Sequence, residues 1–258
     1  MNAFDEYTSK FDLNDRLITL KYNHSYRVSQ VSNILANSLG LDIEDVDLAT
    51  TIGFIHDIGR FEQIKQFDTL SDINTMDHAD FGAYLLFDKG LISKFYNKVE
   101  DYEIIKTAVS GHNKYSIDKE YDDRTLLHLK IIRDADKIDI FNIRANLDEL
   151  ELKTDGEISD KVREEFFNHY MIHNENKKTN ADSIIGTLSY LYDINYNESF
   201  GYINSKKLIT NLYNRIEDKE KFKEFFDYAE DYVESKVKGE KSYVRKKIQS
   251  LRGRKKQV

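Results

Sequence analysis

Hydrophobic periodicity is the feature that most constrains this chain. Apolar residues recur at helical spacing in nearly every segment with a clear pattern, and no run alternates with period two between hairpin turns. In "SYRVSQVSNILANSLG" one apolar stripe contains Val28, Val31, Leu35 and Leu39. Gly40 follows this stripe and suits the position just after a helix C-terminus. The pattern predicts an all-α fold.

Further helices are predicted along the chain. The second begins at the acidic segment "IEDVD", because carboxylates stabilise a helix N-terminus, and it runs through Ile55. Others lie in "DHADFGAYLLF", "DYEIIKTAVSGH" and "RTLLHLKIIRDADKIDIFNIRANLDEL". Residues 61–76, "FEQIKQFDTLSDINTM", break the period and are predicted to form a loop, and loops of this length are often functional.

Length and composition indicate a folded, acidic protein. The 258 residues are 40% hydrophobic, which is enough for a substantial core in one large domain or two modest ones. We expect a boundary near residue 150, with a first domain over 1–150 and a helical region over 151–258. No apolar run approaches the roughly 18 residues of a membrane span, and no secretory signal is visible, so we expect a cytoplasmic protein without membrane association.

The C-terminal tail has a charge opposite to that of the remainder. From Lys236 onward it holds ten Lys or Arg and one Glu, which gives about +9 within a chain of net charge -8. Such a cluster attracts polyanions and suits contact with a phosphate or a nucleic acid. The alternative is a solvated terminal helix that balances an acidic body.

Histidines and aspartates are the available metal ligands, because the chain has no cysteine. In "TIGFIHDIGRFEQ" an apolar run closes on the doublet His56-Asp57. We expect His24, His56, His78 and His112 each to lie at an end of a predicted helix, where side chains of different helices converge. Adjacent residues point in directions about 100° apart around a helix axis. Both members of the doublet can therefore reach one centre only if that centre lies beyond the flank or the end of the helix.

The doublet alone is compatible with a structural hydrogen bond or with a metal site. Four such histidines, together with the aspartates of "RDADKID", favour the metal site. Imidazole and carboxylate together suit Zn, Mn, Fe, Co or Ni, and a carboxylate can bridge two ions. Asp57 is therefore the expected bridge.

The motifs resemble those of the HD-domain metal-dependent phosphohydrolase superfamily over roughly residues 20 to 145. "HSYRVS", "HDIGR" and "ADKID" are similar to its H…HD…D signature. The resemblance implies an HD-domain helical bundle, here with additional C-terminal helices. It also implies metal ligands at His24, His56, Asp57 and Asp136. Asp134 is the second choice for the last ligand. Asp139 would not bind the metal itself but would orient a ligand or a water.

A second ion is implied by "DHADFGAYLL", which resembles an element of HD-type phosphodiesterases, and by "SGHNKY". Asp57, His78 and His112 would hold it. HD-GYP proteins carry a further histidine where Asn113 follows His112 here, so hydrolysis of cyclic di-GMP is not supported; Asn113 is instead a candidate substrate contact. We expect one or two divalent ions, and Mn, Fe, Zn, Co, Ni and Mg all remain open.

Two basic residues are candidate phosphate contacts. The resemblance implies that Arg60 and Lys137 offset charge that builds on phosphoryl oxygens, with Asp57 as the third catalytic residue. A surface salt bridge is the alternative for either cation. His128 is expected to pack in the core, and His169 and His173 have an i, i+4 spacing but lack the Glu of a zincin motif.

The leading hypothesis is a metal-dependent phosphohydrolase or phosphodiesterase that acts on a small nucleotide-like substrate through a metal-activated water. One alternative is a non-catalytic HD scaffold that binds a nucleotide or a protein partner. Another is a nuclease that holds nucleic acid with the basic tail. The oligomeric state stays open.

Overall fold

Helices make up every regular element of the described chain, which confirms the all-α prediction. The computed structural model describes residues 3–117, 119–146 and 152–254, with side chains up to residue 239, and these ranges contain no β-strand. The first eight helices are α1 (Ala3–Thr8), α2 (Arg16–Ser38), α3 (Ile43–Ile55), α4 (Ile58–Phe67), α5 (His78–Ala83), α6 (Ile92–Phe95), α7 (Tyr102–Gly111) and α8 (Asp123–Asn146). The remaining helices are α9 (Asp160–Phe167), α10 (Asn180–Leu188), α11 (Asn197–Ser205), α12 (Leu208–Asn214) and α13 (Lys219–Arg254).

Short segments with other hydrogen-bond patterns connect some of these helices. A π-helical turn, Tyr84–Asp88, continues α5 directly. Three 3₁₀ segments lie at Val99–Asp101, Asn174–Asn176 and Ser189–Asp193.

Local side-chain chemistry sets the ends of α2 and α3. The Asp15 carboxylate accepts the backbone N–H of Leu17 at 2.7 Å and so caps the start of α2. Gly40 has φ +74 just after the end of α2, a conformation that glycine adopts without steric cost. Asp42 caps α3 by accepting the N–H of Asp45 at 2.9 Å. Both helices predicted from the sequence are confirmed.

The predicted loop over residues 61–76 is wrong in its first half. α4 continues to Phe67, and only residues 68–77 lie between it and α5. The helix continues because Phe61 and Ile64, three residues apart, are both buried and anchor one face of it. Asp68 ends the helix with φ 49. The polar residues Glu62 and Gln63 between these two apolar residues made the helical period difficult to recognise in the sequence.

The chain divides into two compact units, Met1–Asp139 and Ile140–Val258. The boundary expected near residue 150 falls in 147–151, outside the described residues, so the division into 1–150 and 151–258 stays a prediction. In the first unit α2 packs on α3, α4 on α5, and α5 on α7. In the second unit α13 packs on α10, α11 and α12.

Apolar side chains fill the interior of each unit. Fully or almost fully buried members of the first unit include Val28, Leu35, Ile52, Ile55, Ile58, Phe61, Ile105 and Val109. Those of the second unit include Phe166, Ile184, Leu188, Phe222 and Phe225. Several aromatic residues of the C-terminal half, including Phe166, Phe222 and Phe225, therefore lie in a core. No helix in the described ranges is long and apolar enough to cross a membrane.

Candidate metal centre

The junction between α3 and α4 places the HD doublet at a bend in the chain. His56 caps the end of α3, and Asp57 lies between the helices with φ -102 and ψ 18. This departure from helical geometry directs two neighbouring side chains toward one region, as expected for the doublet. Both side chains are almost completely buried.

Two of the other three histidines also lie at helix ends, and the third does not. His78 is the first residue of α5, and His112 directly follows α7. His24, in contrast, lies in the middle of α2, so the expectation of a helix end was wrong for this residue. Because α2 packs along α3, a residue on the buried face of α2 reaches the end of α3 without lying at a terminus.

A first group of ligand atoms surrounds one oxygen of Asp57. Oδ2 of Asp57 lies 3.5 Å from His24 Nε2 and 3.6 Å from His56 Nε2. Asp136 Oδ1 completes this group at 3.1 Å from His24 Nε2 and 3.8 Å from His56 Nε2. We call these four residues the first metal group.

A second group surrounds the other oxygen of the same carboxylate. Asp57 Oδ1 lies 3.3 Å from His78 Nε2 and 3.7 Å from His112 Nε2. The two Nε2 atoms are 3.2 Å apart. We call Asp57, His78 and His112 the second metal group. Asp57 thus presents one oxygen to each group, as a bridging carboxylate would.

The donor set fits divalent ions. Ligand bonds of about 2.1 Å place neighbouring ligand atoms about 3.0 Å apart in an octahedron and about 3.4 Å apart in a tetrahedron. The separations in both groups are close to these values. His56 Nε2 and Asp57 Oδ1 are also buried without a hydrogen-bond partner, and such atoms are costly unless they bind something.

A hydrogen bond at Nδ1 orients every histidine of the two groups. The acceptors are Asp139 Oδ2 for His24 at 2.7 Å, Gly53 O for His56 at 2.8 Å, Asp72 Oδ2 for His78 at 2.7 Å and Val109 O for His112 at 2.7 Å. Each acceptor requires a proton on Nδ1 in the neutral ring, which leaves the Nε2 lone pair for a metal. Asp139 has the orienting position expected of it, and it also accepts from Arg27 Nε at 2.7 Å.

The electrostatics of the centre keep its carboxylates ionised. Burial tends to raise the pKa of Asp57, but the charges of Lys21 and His56 outweigh it and hold the pKa well below its usual range. The pKa of Asp136 is also held well below its usual range, since its polar contacts with the His24 and His56 imidazoles outweigh burial. Two negative charges therefore face the imidazoles.

The pKa values of His24, His78 and His112 shift in different directions. Burial lowers the pKa of His78 and of His112, so both rings of the second metal group are neutral near pH 7 and ready to bind a metal. Burial also lowers the pKa of His24, but its contact with Asp136 and its hydrogen bond to Asp139 outweigh burial, and the net shift is upward.

Arg60 lies at the centre but is already paired. Its Nη1 donates to Gln63 Oε1 at 2.7 Å, to Leu70 O at 2.6 Å and to Asp72 Oδ1 at 2.7 Å. Its Nε has no hydrogen-bond partner and lies 3.7 Å from Asp57 Oδ1. The side chain therefore joins the doublet to the loop 68–77.

The other predicted site residues lie at the edges of the two groups. Lys137 is almost fully buried, and its Nζ donates to Arg133 O at 3.4 Å. Asn113 follows His112 and donates from Nδ2 to Asp77 Oδ1 at 3.0 Å.

The contacts of the first metal group bear on the choice between two aspartates. Asp136 Oδ1 lies within 3.8 Å of Nε2 of both His24 and His56. This geometry supports Asp136 as the ligand.

Lys21 is the residue that the sequence interpretation missed. Its Nζ lies 2.6 Å from Asp57 Oδ2, and its side chain is 15% exposed. Lys21 precedes His24 by three residues on α2, so both face the same side of the helix. This three-residue spacing could have indicated Lys21 from the sequence. A lysine on a helix can equally extend into solvent, so the spacing alone did not single it out.

His128 and His169 have polar partners that are not members of the two metal groups. His128 is buried, and its Nε2 is 3.1 Å from Asp45 Oδ1, in agreement with the structural role expected of it. His169 pairs through Nε2 with the Tyr228 hydroxyl at 2.7 Å. Among the described residues, a further group that could hold a metal, Asp72, Asp77 and His78, shares His78 with the second metal group.

Comparison with known families agrees with this geometry. Residues 22–140 match the family model described as HD domain. This part of the chain is similar to the HD domain, a family that binds divalent metals and whose members are generally hydrolases, and the His/Asp cluster fits a metal site of that type. The resemblance stated from the motifs is confirmed. No curated protein and no solved structure matches the chain.

Proposed function

We propose that this protein is a two-ion phosphohydrolase that cleaves a phosphoester or phosphoanhydride bond of a small nucleotide-like substrate. The observation that carries the proposal is the position of Asp57, with one oxygen facing each metal group at 3.3 to 3.7 Å from the imidazole nitrogens. Seven ligand contacts from six residues around a shared carboxylate suit a pair of ions better than a structural hydrogen bond.

The residues of the two metal groups would have different roles in the reaction. His24, His56, Asp57 and Asp136 would hold one ion, and Asp57, His78 and His112 the other. When bound, the ions would supply Lewis acidity and a water activated for attack on phosphorus. Asp57 would keep the ions close together, and the Nδ1 hydrogen bonds would hold each imidazole in its ligating orientation.

Cationic side chains around Asp57 would receive the phosphate. Lys21 is the strongest candidate, because its ammonium group contacts Asp57 and its side chain is partly exposed. A point charge at this position stabilises negative charge that develops on phosphoryl oxygens. Arg60 would contribute through Nε, whereas its Nη1 is occupied by the loop. Lys137 and Asn113 stay candidate contacts at the edge of the site.

Exposure indicates the side from which a substrate would approach. His24, His56 and Asp57 are almost fully buried, whereas the side chains of Asp136 and Lys21 are 16% and 15% exposed. A substrate would therefore meet the centre through these two residues. An opening this limited favours a terminal or small phosphate group over a large folded polyanion.

A substrate screen with a matched pair of variants tests the proposal. Metal-loaded protein would be assayed with mono-, di-, tri- and cyclic nucleotides and a generic phosphodiester. Asp57→Ala is expected to lose both bound metal and turnover, whereas Asp45→Ala, which disrupts the His128 pair outside the centre, should retain both. Turnover and metal content unchanged in Asp57→Ala would refute the assignment. Metal and nucleotide binding without turnover in wild type would favour the non-catalytic scaffold.

A further inference from the structure

The loop 68–77 carries a carboxylate into the second metal group. Asp72 accepts from His78 Nδ1, with Oδ2 at 2.7 Å and Oδ1 at 3.0 Å. The same carboxylate accepts from Arg60 Nη1 at 2.7 Å and from Gln63 Nε2 at 2.9 Å. Asp72 therefore connects one metal ligand to two side chains of α4.

Polar contacts from α4 hold residues 70–76 of this loop. Gln63 is fully buried, and its Nε2 also approaches Ser71 O at 3.2 Å, Thr75 Oγ1 at 3.0 Å and Met76 O at 3.0 Å. Arg60 holds Leu70 O at 2.6 Å. The loop thus depends on two α4 side chains.

Apolar burial contributes little to the same segment. None of residues 68–77, all of which are described, is buried, and Ile73 is 66% exposed. A surface segment without a core of its own opens at low free-energy cost once its polar contacts are removed. The conformation of the loop and the position of Asp72 therefore depend on the same few hydrogen bonds.

His78 is the histidine whose orientation depends on this segment. His56 and His112 donate from Nδ1 to carbonyls three residues earlier in their own helices, and His24 donates to Asp139 on α8. Those acceptors are fixed by helices. The acceptor of His78 is fixed by the loop.

We infer that Asp72 is a positioning residue that couples the loop 68–77 to the second metal group. Asp72 holds the His78 ring with Nε2 directed at Asp57 Oδ1, 3.3 Å away. A cation on Nε2 makes the Nδ1 proton a stronger donor, so binding of the ion and closure of the loop strengthen each other. Arg60 contributes to this coupling because it contacts both Asp57 and the loop. The inference rests on the proposed two-ion centre and adds to it a control element.

Ion-binding titrations of Asp72→Ala test the coupling. Wild-type protein, freed of metal and titrated with Mn²⁺ in a calorimeter, is expected to bind two ions. Asp72→Ala should weaken one of them by about 10- to 100-fold, the usual effect of losing the partner of a ligating histidine, and leave the other unchanged. Asp72→Asn keeps an oxygen acceptor and should lose less. Asp45→Ala removes an Asp–His pair of the same kind elsewhere and should bind like wild type.

Amide hydrogen exchange in residues 68–77 provides a readout that does not depend on activity. Mn²⁺ should slow exchange in this segment of the wild-type protein, and Asp72→Ala should abolish that protection while circular dichroism and the melting temperature without metal stay near wild type. Equal weakening of both ions, or no weakening of either, would overturn the inference. Failure of wild type to bind Mn²⁺ would overturn the two-ion centre as well. Two-ion binding without turnover would overturn only the proposed hydrolysis.

Discussion

Replacement of Gly59 by alanine is the prediction that follows most directly from the packing of the centre. Gly59 is the glycine of "HDIGR" and lies at the contact between α4 and α5. A Cβ atom at this position would lie 2.2 Å from His78 O and 2.8 Å from Gly82 N. Close C···O contacts in proteins are about 3.3 Å, so α5 would have to move by about 1 Å.

The size of that movement sets two expected effects of Gly59→Ala. Overpacking of this kind typically costs about 1–3 kcal/mol of stability. His78 is the first residue of α5 and would move with it, whereas metal–ligand distances tolerate only about 0.2 Å. The variant should therefore lose the second ion and keep the first, whose ligands lie on α2, at the α3–α4 junction and on α8.

A glycine on the opposite side of the same contact provides the control. A Cβ at Gly82 would meet Gly59 N, Ile58 Cγ2 and Val109 Cγ1 at 3.4 to 3.5 Å, which are ordinary contacts. Gly82→Ala should thus bind two ions, and denaturant unfolding should show no loss of stability. The assay is Mn²⁺ titration together with urea unfolding of both variants. Wild-type stability and two bound ions in Gly59→Ala would refute the reasoning.

Four further outcomes are expected. Lys21→Ala should lower turnover at least about tenfold with two ions still bound, because it removes a phosphate contact and no ligand. Asp136→Ala should lose the first ion and retain the second, as measured by titration. Burial lowers the pKa of Lys177 from 10.5 to about 8. The folded chain therefore releases this proton at a lower pH than the unfolded chain, so Lys177 should contribute added stability as pH increases between these values, and Lys177→Met should remove that contribution in urea unfolding curves. Truncation after Gly239 should weaken nucleic-acid binding steeply at low salt if the basic tail binds it, without changing turnover of a small substrate.

Hydrophobic periodicity predicted the helices, and the sequence motifs predicted most of the side chains that meet at the metal centre. The stripe ending at Leu39 and the acidic start of α3 are properties of adjacent turns, so the sequence shows them directly. The HD doublet and the later motif residues predicted a shared centre because two neighbouring ligands reach one point only at a helix end. The structure places Asp57 between the two groups as that argument requires.

Contacts between distant residues could not be predicted in the same way. Lys21 and Asp57 are far apart in sequence, and their 2.6 Å contact depends on how α2 packs on α3. The role of Asp72 depends on Gln63, a polar residue that is fully buried only because the loop folds over it. His24 was expected at a helix end because the packing of one helix along another was unknown. Periodicity describes one helix at a time and gives no register between helices.

Anomalous diffraction from crystals grown with Mn²⁺ would show whether two ions bind to Asp57. We expect two peaks on opposite sides of the Asp57 carboxylate. One peak should lie among His24, His56 and Asp136, and the other should lie between His78 and His112. A single peak, or none within ligand distance of Asp57, would contradict the two-ion centre.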